Sequence, residues 1–206
     1  MLGDEARRAL VNNPELSGHA VELSRFAVGD EYDLFAALEH DEVWTLVPGR
    51  PTDPDHLASV MRAAEGSGRY PWVVRLRRSV SGLPVGQVVG TSSYLDVHPA
   101  DERCEIGFTA YTPAVWGSVV NAECKLLLIR AAFALGFGRV QLKTDIRNER
   151  SQRAIAGLGA RQEGVLRRYQ RRADGSMRDT VMFSILSEEW PAVRESLEQR
   201  VAAALG

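Results

Sequence analysis

Cysteine is scarce in this chain: Cys104 and Cys124 are the only two among 206 residues, and they form no C-x-x-C pair. This excludes a disulfide framework or a thiol redox motif, and two isolated buried thiols suit a reducing cytoplasm. Histidine is scarce too. His19, His40, His56 and His98 stand without ligand spacing, so no metal site is expected. Excess positive charge is missing: 25 Lys and Arg against 27 Asp and Glu leave a net charge of −2. Bulk nucleic-acid binding needs a basic surface and is not expected. No apolar run is long enough to span a bilayer, and no charged segment followed by an apolar one opens the chain, so no membrane or secretory role is expected. No G-x-G-x-x-G opens a helix, which argues against a Rossmann-type nucleotide binder. Internal repeats, low-complexity tracts and interdomain linkers are likewise missing.

What remains is ordinary globular material. Apolar residues make up 45 % and charged residues 25 % of the chain, enough for one domain, residues 1–206, with a core that needs no staples. Residues Met1 to Gly18 read as a polar, proline-interrupted N-terminal arm. Val21 to Val28 reads as a strand, and Glu31 to His40 as a helix burying Leu34, Phe35 and Leu38. Asp53 followed by Pro54 is a helix start signal, and Leu57, Val60, Met61 and Ala64 then form the buried stripe. Trp72–Arg77 and Val85–Tyr94 read as a hairpin.

The richest stretch runs from Cys104 to Ala160. Period-two alternation places Cys104, Ile106, Phe108 and Ala110 on one side of a strand and Glu105, Gly107, Thr109 and Tyr111 on the other. Pro113 ends the strand. A loop follows, and then a helix with Ala122, Leu126, Ile129 and Phe133 at helical spacing, stopped by Gly136 and Gly138. Val140–Ile146 alternates again, and a second helix opens near Asn148. Strand followed by helix N-terminus is where backbone N–H groups and the helix dipole converge on an anion. Arg161–Arg172 and Ser176–Leu186 form a last hairpin around Asp174-Gly175. The tail, residues 187–206, carries Trp190, Val193 and Leu197 at helical spacing; it packs on the domain or on a second copy in a homodimer. The order β-α-α-β-β-β-α-β-α-β-β-α implies an α/β (α+β) fold, a mixed sheet of about seven strands with helices on both faces.

Five segments in this order resemble the GNAT superfamily of acetyl-CoA-dependent N-acetyltransferases, in the branch typified by enzymes that acetylate the N-termini of ribosomal proteins. They are Glu105-Ile-Gly-Phe108, the Trp116-Gly117 loop, Asn148-Glu-Arg-Ser151, Gly159-Ala-Arg-Gln-Glu-Gly164, and Asp174-Gly-Ser-Met-Arg-Asp-Thr180 running into Phe183-Ser-Ile185. The resemblance covers roughly Val21 to Leu186 and implies a mostly antiparallel sheet and an amine acceptor, either a protein N-terminus or a small molecule. It further implies that amides of the loop Trp116, Gly117, Ser118, Val119, Val120 and Asn121 hold the acetyl-CoA pyrophosphate, with Phe108 also against the cofactor. Two departures stand out. Val119 occupies a position where glycine is usual and tolerates φ > 0, and Asn121 replaces a glycine or alanine. Ile155 stands where many members have a tyrosine proton donor.

A protonated amine cannot attack a thioester, and an α-amino group has a pKa of about 8. The reaction therefore needs a base, a hold on the oxyanion and a proton for the departing sulfur. Glu105 is read as the general base, acting through a water; a solvated or ion-paired carboxylate is the alternative. Ser151 shares a helical face with Ala154, Ile155 and Leu158. It is read as hydrogen-bonding and protonating the coenzyme A sulfur, unless its hydroxyl bonds back to the carbonyl four residues earlier. Asn148 caps its helix, and the resemblance adds a bond to the pantetheine arm. The oxyanion donor is assigned to a backbone N–H between Glu105 and Tyr111. Trp116 either clamps a ligand or packs beneath the loop, and packing is preferred. Trp44 and Tyr94 lie where the family builds its acceptor pocket. Arg167, Arg168, Arg171 and Arg172 read as a solvated strand face. The reading from a different class is a non-catalytic acyl-CoA-binding regulatory module.

Overall fold

The computed structural model describes residues 2–13 and 15–206. It opens with α1 (Asp4–Val11), β1 (Glu15–Ser17), β2 (Val21–Arg25), α2 (Asp30–Leu38), α3 (Asp41–Trp44) and α4 (Pro54–Ala64). Next come β3 (Tyr70–Leu76), β4 (Val88–His98), β5 (Arg103–Tyr111), the crossover helix α5 (Val119–Ala134) and β6 (Arg139–Asp145). α6 (Glu149–Ala156), the hairpin β7 (Arg161–Arg171) and β8 (Met177–Leu186), and α7 (Trp190–Leu205) complete it.

The strands form one sheet in the order β1-β2-β3-β4-β5-β6-β8-β7. Every neighbouring pair is antiparallel except β5 and β6, which are parallel because a helix joins them. Eight strands stand where alternation reads seven. The extra one, β1, is only three residues long and lies inside the segment read as an arm. That segment belongs to the fold: β1 pairs with β2, and Leu10 and Val11 of α1 are buried in the main core.

One face of the sheet packs on α5 and α7, the other on α2, α3 and α4. α5 is buried on nearly every side, Glu123 and Lys125 included, as befits a helix at the centre of a core. The stripe Trp190, Val193, Leu197 and Val201 of α7 joins that same core, so the tail helix packs on its own domain. Asp53 caps α4 by accepting from the His56 N–H at 2.7 Å, with Pro54 in the first helical turn.

The feature that positions the site is a parting in the sheet. β5 pairs with β6 only at Arg103, Cys104 and Glu105; beyond Glu105 the two strands share no further register. β5 carries a bulge at Phe108–Thr109 opposite Ser92, since Gly107 faces Ser93 and Ala110 faces Thr91. Phe108 sits at φ +45°, a left-handed conformation uncommon for a side chain of this bulk. The bulge corrects the simple alternation. An extra residue reverses the parity of everything after it. Phe108 is therefore 45 % exposed and not beside Ile106, Ala110 joins the core of the opposite face, and Tyr111 joins Cys104 and Ile106.

Candidate active site

Where β5 and β6 part, a cleft of about 290 Å³ opens. Its walls include Glu105, the bulge residues Phe108 and Thr109, Trp116, Asn148 and Ser151. The segment after α3, from Leu46 to Pro48, forms part of its rim.

Glu105 is the last β5 residue paired with β6, and at 2 % exposure it is buried while still lining the cleft. Its Oε2 lies 2.7 Å from Nζ of Lys143 on β6, but accepts no hydrogen bond of good geometry. Lys143 also sits over the ring of Tyr169, 5.5 Å from its centre. A buried carboxylate thus lies beside a cation without being sealed by a full hydrogen-bond shell.

At the other end of the cleft lies the N-terminus of α5. Gly117 takes φ +76°, a conformation that glycine adopts at no steric cost. Ser118 caps the helix by accepting from the Val120 N–H at 3.3 Å. Val119 is the first helical residue and its φ is not left-handed, so the glycine usual there is not needed for backbone reasons. Its side chain is buried in the main core and does not line the cleft. Val120 is also buried in the core, whereas Gly117, Ser118 and Asn121 face the cleft. Trp116 is held in place and also borders the cleft. Its Nε1–H donates to the Tyr111 carbonyl at 3.0 Å, and its ring lines the cleft beneath the guanidinium of Arg150, 3.4 Å away.

Asn148 caps α6 through Oδ1, which accepts from the Ser151 N–H at 3.0 Å. That cap aims the face Ser151, Ala154, Ile155 and Leu158 into the cleft. Among the described residues the Ser151 hydroxyl makes no bond back along its helix. Ile155 supplies only an apolar surface where a proton donor would stand.

Several cleft residues escape a reading by motif. Lys125 is buried on α5, and Nζ donates to Ser92 Oγ at 2.8 Å and to Thr109 Oγ1 at 2.5 Å, bracing the bulge from below. Burial pushes its ammonium down to about 8. The visible signal was a charged residue inside an apolar helical run. Asp145 takes a two-pronged bond from Arg172, at 2.6 and 2.8 Å, which holds its carboxyl below the usual range. Arg178 and Gln170, directly paired across β7 and β8, also line the cleft.

Three expectations are corrected. Tyr94 is fully buried in the core, its hydroxyl donating to the Leu128 carbonyl at 2.6 Å, and it does not reach the cleft. Trp44 packs against the smaller core with Nε1–H bonded to the Leu38 carbonyl at 2.7 Å; Val43 and Leu46 line the cleft in its place. Arg172 is not a solvated member of its basic run, because Asp145 claims it, while Arg167, Arg168 and Arg171 are exposed. Among the described residues no group of three or more His, Cys, Asp and Glu is placed to hold a metal ion. Among the described residues no helix is long and apolar enough to cross a membrane.

Comparison with known proteins agrees with this architecture. The acetyltransferase (GNAT) domain matches residues 21–161. The uncharacterized N-acetyltransferase p20 of Bacillus licheniformis is 30 % identical over 115 residues, 55 % of this chain and 64 % of that protein, so the chain spans a little under two thirds of this relative's length. Among solved structures, a GCN5-related N-acetyltransferase from Brucella melitensis superposes with a TM-score of 0.82 at 25 % identity, covering 91 % of this chain and 85 % of that one. RimJ of Mycobacterium smegmatis, solved in complex with CoA-disulfide, shares the fold at a TM-score of 0.73 and 21 % identity, covering 90 % of this chain and 92 % of that one. With the matched domain spanning well over half of its length, the chain belongs to the GNAT acetyltransferase family.

Proposed function

We propose that the protein transfers an acetyl group from acetyl-CoA to a primary amine by direct attack, with Glu105 as general base. The observation that carries this reading is the placement of a buried carboxylate at the point where β5 and β6 part, in the same cleft as the N-terminus of α5. A helix N-terminus offers orphan amides and a positive dipole end to a pyrophosphate. The turn at Gly117 and the amides that follow are the natural donors, with Arg150 and Arg200 nearby as cations for the remaining phosphate charge. The acyl thioester then threads between the parted strands, past Ser151 and Asn148, toward Glu105.

In the reaction the amine nitrogen forms a bond to the acetyl carbonyl carbon, and the carbon–sulfur bond breaks with its electron pair left on sulfur. The proton lost by the amine passes to Glu105, directly or through one water. The amides of the bulge at Phe108 and Thr109, left over by the irregular pairing with β4, stabilise the oxyanion. Ser151 donates a hydrogen bond to the departing sulfur, which takes a proton as coenzyme A is released. With Ile155 in place of a phenolic donor, this step rests on Ser151 and solvent. The products are an acetamide and a free thiol.

Continuous assay of thiol release with a panel of peptides and small amines tests the reading. Turnover lost in Glu105→Gln with acetyl-CoA affinity retained supports it. Acetyl-CoA binding without thiol release for every amine in the wild-type protein overturns it in favour of an acyl-CoA-binding module.

A further inference from the structure

One of the cations lining the cleft forms no ion pair among the described residues. Two of the cleft's carboxylates are already committed, Glu105 to Lys143 and Asp145 to Arg172. Arg178 lines the same cleft, yet among the described residues it forms no ion pair, and its Nε is buried without a hydrogen-bond partner. Directly across the β7–β8 ladder, Oε1 of Gln170 is also buried and unpartnered, and Gln170 lines the cleft as well. A guanidinium Nε–H withdrawn from water with no acceptor is costly. The unanswered donor of Arg178 marks a place built for an acceptor group that the protein itself does not supply.

The sheet register shows which side of the molecule this place serves. On β6 and β8, Val140, Leu142, Phe183 and Ile185 face the core under α5 and α7. The alternate residues point the other way: Lys143 opposite Met182, Asp145 opposite Thr180, and Arg178 two residues beyond Thr180. Glu105, ion-paired to Lys143, is on this face too. Arg178 therefore shares its side of the sheet with the proposed base, whereas the N-terminus of α5 lies across the sheet. Desolvation lowers the affinity of this guanidinium for its proton, and the fields of Asp145 and Glu105 act against that loss, as expected of a cation facing the same polar hollow.

We infer that Arg178 binds a carboxylate carried by the acceptor, so that the amine acetylated at Glu105 belongs to an amino acid or a similarly short amino-carboxylate. The inference rests on the acetyl-transfer reading above. Guanidinium suits this task because it stays charged when buried and presents planar donors to a carboxylate. A neutral amine of the same shape leaves the Arg178 donor unanswered, so discrimination arises from the penalty of an unpaired buried group.

The test uses acid and carboxamide pairs, amino acids and their C-terminal amides, with wild-type protein and the variants Arg178→Gln and Arg178→Lys. Thiol release and calorimetric binding of each acceptor to the CoA-saturated protein are both recorded. Wild type is expected to favour the acid over its carboxamide by about 10- to 100-fold, the size of one charge-assisted contact. Arg178→Gln erases that preference by lowering kcat/KM for the acid alone, Arg178→Lys restores part of it, and acetyl-CoA affinity stays at the wild-type value. Equal treatment of acid and carboxamide by the wild type, or an equal loss for both in Arg178→Gln, overturns the inference. So does weakened acetyl-CoA binding in that variant, which would assign Arg178 to a cofactor phosphate. Absence of thiol release with every acceptor, while calorimetry still shows the acid preference, defeats the transferase reading but leaves the carboxylate site standing.

Discussion

Nζ of Lys143 lies 2.7 Å from Oε2 of Glu105, the two residues facing each other across the point where β5 and β6 part. The pair does two things at once. It gives a carboxylate of 2 % exposure a partner of opposite charge, and it sets that carboxylate at the mouth of the gap between two strands. Removing the cation makes ionisation of a buried carboxylate more costly. Lys143→Met is therefore expected to destabilise the fold by roughly 2 to 4 kcal/mol, the cost of leaving a buried carboxylate without its cation. Glu105→Gln is expected to lower kcat by about 10²- to 10⁴-fold at every pH, the range of general-base contributions. Steady-state kinetics and thermal unfolding of the two variants check both, and undiminished kcat in Glu105→Gln argues against Glu105 as the base.

Much of this arrangement could be read from residues alone. Alternation, the Asp53 cap and the glycine stops give the element order, since each is a local signal with a local cause. The bulge at Phe108 could not be read that way. Nothing in Cys-Glu-Ile-Gly-Phe-Thr-Ala-Tyr announces an extra residue, because the parity change depends on how β4 pairs with it. The same applies to Tyr94. An aromatic in the right stretch of chain suggests a pocket, but the strand face that takes it inward is set by tertiary pairing. Lys143 carries no motif, and Arg178 lies inside the Asp174–Thr180 segment without a role that the segment itself reveals; their meaning comes from neighbouring strands.

Tyr94 makes that contrast testable. Its hydroxyl is bonded to the Leu128 carbonyl and lies outside the cleft. Tyr94→Phe should leave kcat and KM within about twofold, while costing roughly 1 kcal/mol through the lost bond. Chemical denaturation beside steady-state kinetics decides the matter. A selective rise in acceptor KM would return Tyr94 to the pocket.

Glu123 is a structural anchor. Its carboxylate accepts from the His19, Ala20 and Val21 amides at 2.7, 2.6 and 2.8 Å, fastening the start of β2 to α5. Gly18 is obligatory beside it, since a Cβ there would come within 2.4 Å of the Glu123 carboxyl carbon. Glu123→Ala strands buried amides and is expected to cost on the order of 3 kcal/mol or more. Gly18→Val should be similarly harmful. Thermal unfolding of both variants is the check, and a loss below about 1 kcal/mol in each would show that water replaces the carboxylate.

Lys125 gives a signed pH prediction. Its folded value, about 8, lies below the ordinary lysine value of 10.5. Between those two pH values the unfolded chain holds a proton that the folded one has released, so stability rises with pH across that window. Below about pH 8 both states are protonated and the folded one bears the full cost of a buried ammonium, of order 3 kcal/mol from the separation of the two values. Lys125→Met should remove this window. Ser92 and Thr109 keep each other as partners, their hydroxyls 2.9 Å apart, so neither is orphaned. The difference in unfolding free energy between wild type and variant should therefore favour the variant most at pH 7 and shrink by pH 10. A flat difference would mean that the ammonium is solvated.

Val119 tests whether the departure from glycine matters at the α5 N-terminus. The residue is helical, its φ is not left-handed, and its side chain fills part of the main core. The left-handed turn that needs glycine is already provided by Gly117 at φ +76°. Restoring the family's usual residue with Val119→Gly therefore removes burial and widens a hollow that Val119 lines beside Gly117 and Ser118, and about 2 kcal/mol of stability should go with it. Acetyl-CoA affinity, measured by calorimetry below the melting transition, should stay within about threefold. Gly117→Val is the informative opposite. It forces a β-branched residue into a left-handed turn, and should weaken acetyl-CoA binding by tenfold or more with a smaller cost to the fold. If instead Val119→Gly tightened binding strongly while Gly117→Val left it unchanged, the amide cradle would lie one turn further into the helix than the geometry of Gly117 and Ser118 places it.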